Sequence, residues 1–124
     1  MSPDRLTLSQ IALLTAYAFG MAGGQVLFKV AALRYGSADS TAAERLVGLL
    51  LNVHFLAALL LYGLLAVLWV WVLTFTPLSR AYPFVALAFA LTSGLAALLF
   101  GESISPRLVI GTLLILGGLF FVTS

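Results

Sequence analysis

Residues 55–75 read FLAALLLYGLLAVLWVWVLTF, an uninterrupted apolar stretch with no charge. A bilayer core asks for about 20 such residues in a helix, so this stretch is a membrane span. Further spans are expected on both sides of it. One covers residues 8–33, one residues 81–100, and a shorter one residues 108–122, opened by Ser105-Pro106 so that its helix covers 106–123. In lipid every backbone amide must find its partner inside the chain, so the spans are helices. The alternating polarity of a membrane barrel is absent. The first apolar run is too long for a signal-peptide core and is followed by Lys29 and Arg34 without a cleavage pattern, so it reads as a retained span.

Composition supports the same solvent. The chain has 124 residues, 63% hydrophobic and 8% charged, with a mean hydropathy of +1.18. A water-soluble domain of this size has no interior large enough to hide that much apolar surface. The net charge of +2 and pI near 9.4 come from a few scattered residues, not from the clustered basic face of a nucleic-acid binder. There is no cysteine, which excludes disulfides and thiolate chemistry. One histidine and four acids, widely spread, give no metal site. No nucleophile has an adjacent base and no carboxylates are paired. The sequence therefore shows neither a catalytic residue nor a cofactor site.

The expected architecture is all-α: a single polytopic domain, residues 1–124, of four transmembrane helices. Thr41 and Glu44 have capping-box spacing, so a helix starts at Ala42. Joined to the second span, it would be longer than a bilayer is thick. Either it projects into water, or residues 42–54 lie in the interface and bend near Asn52, which is the preferred reading. TPLSR (76–80) is a tight turn, and Pro83 is expected in the first turn of span three, where its missing N–H is harmless. Arg5 and Arg80 fall on one side of the membrane and Arg34, Arg45 and Arg107 on the other, which decides little about orientation.

Five polar residues are candidates for a site, each beside a plainer reading. Gln25 and Lys29 are four apart and share one helical face. Lys29 either snorkels to the interface or joins Gln25 in the polar wall of a cavity. Glu102, in the turn after span three, lies on the same side of the membrane as Lys29. It is either a solvated turn carboxylate or the partner of Lys29. Arg80 and Tyr82 open span three on the opposite side, as interfacial anchors or as a receptor for an anionic head beside a helix N-terminus. Gly20 and Gly24 form a GxxxG pair, and Gly111 and Gly118 are seven apart. Both pairs read as packing faces, one of them between subunits. His54, Trp69 and Trp71 read as interface residues.

Four short spans with GTLLILGG (111–118) in the last resemble the small multidrug resistance family of the drug/metabolite transporter superfamily, over almost the whole chain. In that family span four packs a dimer through glycines at this spacing. The drug exporters carry a glutamate in span one, where this chain has Met21, and a tryptophan after the span-three tyrosine, where it has Val85. Both departures count against proton-coupled cation export. GQVLFKVAA (24–32), PLSRAYPF (77–84) and LLFGESISPRLVIGTLLILGG (98–118) resemble, in order and spacing, the four-helix flippase subunits for undecaprenyl-phosphate-linked aminoarabinose. That resemblance implies a homodimer or heterodimer in the bacterial inner membrane. It would translocate a lipid-linked sugar phosphate, with Lys29, Arg80 or both meeting the phosphate and Glu102 meeting Lys29 or a substrate amine. A cation or metabolite exporter, and a non-transporting subunit that scaffolds a glycosyltransferase, are the alternatives.

Overall fold

A computed structural model describes residues 6–34 and 40–123. Arg5 and most of the expected polar loop after Arg34 lie outside the described residues. The described chain is helical and has four helical segments long and apolar enough to cross a membrane. Helix α1 spans Leu8–Leu33, α2 Ala42–Leu50 and α3 Val53–Leu73. Span three is α4 (Leu78–Ala81), a 3₁₀ turn (Tyr82–Phe84) and α5 (Val85–Phe100); α6 is Pro106–Thr123.

Local chemistry sets most of these boundaries. Thr7 and Gln10 form a capping box at the start of α1: Gln10 N donates to Thr7 Oγ1 at 3.2 Å and Thr7 N to Gln10 Oε1 at 2.7 Å. The expected box at Thr41 and Glu44 caps α2, with Glu44 N donating to Thr41 Oγ1 at 3.1 Å. Leu108 N donates to Ser105 Oγ at 3.1 Å, and Pro106 takes the first helical position of α6.

The chain breaks at Asn52, where the preferred reading put its bend: the helix from Ala42 does not run on into span two. Asn52 Oδ1 accepts from His54 N at 2.8 Å and from Phe55 N at 3.2 Å, so it caps a new helix that starts at Val53 instead of Phe55 and ends at Leu73 instead of Phe75. The nine-residue α2 stands apart, with Leu46, Val47 and Leu50 exposed. Span three, in turn, starts at Leu78 and not at Ala81. Arg80 N and Ala81 N both reach Pro77 O at 3.0 Å, so Pro77 closes the first turn. Pro83 then falls inside the span, where its ring and missing N–H are accommodated by a tighter 3₁₀ turn.

Helix α1 is central. It packs against α3 on one side and α5 on the other, and α6 leans on α5. The fully buried positions of α1 are mostly alanines, Ala18 and Ala22 among them, with Ala58 opposite on α3. Lipid tails are as apolar as leucine, so small residues that let backbones approach hold such helices together. The bulky core lies at one end of the bundle, where Leu14, Val72, Ala81 and Phe84 meet.

That end is also cross-tied. Gln10 Nε2 donates to Phe75 O at 2.8 Å and to Thr76 Oγ1 at 3.0 Å, and Thr76 is buried. Gln10→Ala removes both bonds and half of the capping box. It should lower the stability of the chain in mild detergent by about 1–2 kcal/mol, read as a lower unfolding midpoint.

The two glycine pairs have different fates. A Cβ on Gly20 would lie 2.8 Å from Leu65 Cδ2, and one on Gly24 only 2.5 Å from Tyr62 Cε2. The GxxxG of span one is thus the α1–α3 contact inside one subunit. Gly111 and Gly118 meet nothing within 4 Å, so they form no packing face among the described residues. Trp71 is exposed. Trp69 instead turns inward, its ring 4.9 Å from that of Tyr17 and 6.5 Å from that of Tyr82.

Candidate functional site

A groove between α1, α5, α6 and the turn that joins the last two runs from Val85, next to the bulky core, to Glu102 at the opposite end of the bundle. Two adjoining cavities of about 400 and 290 Å³ share Gln25, Thr92, Ala96 and Glu102 as walls. The larger is closed by apolar residues, Met21, Val85 and Phe89 among them; Lys29 lines the smaller. The helix spacing of Gln25 and Lys29 puts both on the groove side of α1.

Glu102 reaches the groove because α5 ends in a left-handed turn. Gly101 has φ +64, and Gly101 N–H and Glu102 N–H both turn back to Ala96 O. Only glycine takes this conformation without steric cost. The chain reverses there, and Glu102 Oε2 comes to 3.4 Å from Lys29 Nζ. Both side chains remain close to half exposed, at 44% and 47%. The pair sits at the mouth of the cavities, with charges that cancel.

Gln25 has a partner that the sequence did not reveal. Its Nε2 donates to Tyr62 Oη at 2.8 Å, and Tyr62 Oη donates to Met21 O at 3.0 Å. The Tyr62 ring lies over Gly24 and stacks on Phe28 at 5.3 Å. Thr92, Ser93 and Ser103 are the other polar side chains of the larger cavity that sequence reasoning missed, the first two of them within span three. The signal was available: two adjacent hydroxyls in the middle of an otherwise apolar span have no role towards lipid.

Arg80 and Tyr82 do not join this groove. Arg80 Nη1 donates to Val122 O at 2.7 Å, so the guanidinium caps the C-terminal end of α6 at the opposite side of the bundle. Tyr82 is exposed and meets Trp69 edge-on. Of the expected alternatives at the phosphate, Lys29, Arg80 or both, Lys29 lines the groove and Arg80 does not, since the two stand at opposite ends of the spans, as the sequence places them. Arg80→Ala should cost about 1–2 kcal/mol of stability through the lost cap and leave translocation per folded molecule unchanged. Thermal unfolding and transport measured on one preparation check this.

Met21 and Val85, the two positions where the drug exporters carry a glutamate and a tryptophan, both line the larger cavity. The departure therefore lies in the groove itself. Four apolar helical segments, each long enough to cross a membrane, define a polytopic membrane protein. The chain belongs to the EamA-like transporter family, whose model matches residues 4–124. It is thereby a multi-pass membrane transporter of the drug/metabolite transporter superfamily. Comparison with curated proteins and with solved structures finds no significant match.

Proposed function

We propose that the chain is a flippase that moves an undecaprenyl-phosphate-linked sugar, an aminosugar by preference, across the bacterial inner membrane. The observation that carries this reading is the Lys29–Glu102 pair at the mouth of a groove whose inner wall is Gln25 and Thr92. The substrate has an anionic phosphate, a polar sugar and a long apolar tail. Its head needs a polar path, and its tail stays in lipid and needs none. A groove of a few hundred cubic ångströms suits such a head. Lys29 meets the phosphate, and Glu102, released from Lys29, meets an amine on the sugar. The order of the GQ-x-x-x-K, AYP and GE elements supports the same substrate class.

Export of free cations fits less well. That chemistry asks for a carboxylate inside a span, and Met21 stands there; Glu102, the carboxylate of the groove, is already neutralised by Lys29. The groove is walled by only three helices and the turn, so the working unit is a dimer, of two copies or with a four-helix paralogue.

The test is reconstitution in liposomes, following transbilayer movement of an undecaprenyl-phosphate-linked aminosugar. Movement by the wild type that is lost in Lys29→Ala is the expected result. No movement by the wild type, alone or co-reconstituted with four-helix paralogues, overturns the reading.

A further inference from the structure

Tyr62 decides which end of the Gln25 amide the groove sees. A tyrosine hydroxyl has one proton to give. Met21 O, 3.0 Å away, can only accept, so that proton goes to it. The hydroxyl oxygen then faces Gln25 with lone pairs alone. An amide nitrogen at 2.8 Å satisfies it, whereas an amide oxygen there would set lone pair against lone pair. The Gln25 nitrogen is therefore committed to Tyr62. Tyr62 itself is held by Phe28, by Gly24 beneath its ring and by the Met21 carbonyl. Among the described residues none donates to Gln25 Oε1, and Gln25 lines both cavities.

We infer that Gln25 presents a hydrogen-bond acceptor to the groove, that this acceptor reads a hydroxyl or ammonium donor on the head group, and that Tyr62 is the positioning residue that holds it so. The inference rests on the flippase reading and sharpens it. With Glu102 also an acceptor, Lys29 is the single cation that lines the groove. A head group that fits all three carries an anionic part for Lys29 and donors beside it. A glycosylated lipid phosphate has both. A bare, ionised lipid phosphate brings acceptors only, and leaves Gln25 Oε1 unpaired beside them. A site built to bond a donor discriminates against the analogue that lacks it, because its own polar group is then stranded. The groove thus selects the glycosylated lipid over the bare carrier, which a flippase needs if it is not to run on the carrier alone.

Two measurements on the full chain in detergent micelles test this. The first needs no substrate: the side-chain amide resonances of Gln25 by nitrogen–proton NMR. In the wild type one amide proton should be shifted downfield and exchange slowly with water, and Tyr62→Phe, which keeps the ring, should abolish both features. Gln25 amide signals that are the same in the two proteins overturn the inference. The second compares equilibrium binding of an undecaprenyl-phosphate-linked aminosugar and of undecaprenyl phosphate. Tyr62→Phe and Gln25→Leu should each weaken the glycosylated lipid about five- to tenfold, the worth of one hydrogen bond, and bind the bare lipid no more weakly than the wild type does, because the stranded acceptor is gone or free to turn. Equal weakening of both lipids, or a loss confined to the bare one, overturns it. If the wild type binds neither lipid, the flippase reading fails, and the amide resonances alone decide the orientation of Gln25.

Discussion

Gly24→Ala is expected to be the most damaging single-methyl change in the chain, with Gly23→Ala beside it as a harmless control. A Cβ at Gly24 would lie 2.5 Å from Tyr62 Cε2 and 2.9 Å from its Cζ. These are atoms of a rigid ring, which can yield only by moving as a whole. Phe28 stacks on it, and its hydroxyl is tied to Met21 and Gln25. The new methyl therefore either parts α1 from α3 or rotates Tyr62 out of both hydrogen bonds. Overpacking of this kind costs about 1–3 kcal/mol, and each lost bond adds about 1 kcal/mol. Against this stands the better helix propensity of alanine, up to about 1 kcal/mol, so the clash wins. At Gly20 the nearest atom is a Leu65 methyl at 2.8 Å, the end of a side chain that can turn, and the two effects nearly cancel. At Gly23 a Cβ meets nothing, and propensity acts alone. Unfolding midpoints in one detergent should therefore rank Gly23→Ala at or above wild type, Gly20→Ala near it and Gly24→Ala well below. If Gly24→Ala unfolds with the wild type, the close α1–α3 approach is not what holds these helices.

That ranking marks the limit of what the sequence discloses. The four spans were legible because lipid imposes a length and a polarity on each helix independently of the rest. The Thr41–Glu44 box and the Ser105-Pro106 start were legible because their partners lie within one turn. The GxxxG of span one was legible as a packing face, but not what it packs against. Tyr62 reads like any mid-span aromatic, and its bond to Gln25 joins residues 37 positions apart. Gln10 and Thr76, 66 apart, were hidden for the same reason. The start of span three was misplaced because Pro83 was read by the rule for helix starts. Pro77, six residues earlier, is the N-cap instead, and its carbonyl accepts from Arg80 N and Ala81 N to close the first turn. Of the candidate site, the side of the membrane shared by Lys29 and Glu102 followed from counting spans. Arg80 was legible as lying at the opposite end of the spans, but nothing local says that its guanidinium would find the end of α6.

With the proposed flippase function, Lys29→Ala is expected to lower the initial rate of lipid-linked sugar translocation by more than about tenfold while leaving the fold intact. The two halves of that statement have separate causes. For the fold, Lys29 and Glu102 are 44% and 47% exposed. An ion pair that open to water contributes about 0–1 kcal/mol, and the carboxylate left behind is still hydrated. The unfolding midpoint should therefore barely move. For transport, the groove loses the one cation that lines it. A phosphate that passes through without a counter-charge meets the cost of a bare ion in the membrane, several kcal/mol on insertion scales. Each 1.4 kcal/mol of that cost placed on the barrier slows the step about tenfold. Glu102→Gln separates the two charges. It frees Lys29 from its partner, so binding of the bare carrier phosphate should tighten even as preference for an amine-bearing head falls. A Lys29→Ala chain that transports at the wild-type rate would remove the phosphate from this groove. A midpoint that drops together with the rate would make the pair a structural clasp. Loss of rate at constant midpoint is the outcome that leaves Lys29 in contact with the passing head group.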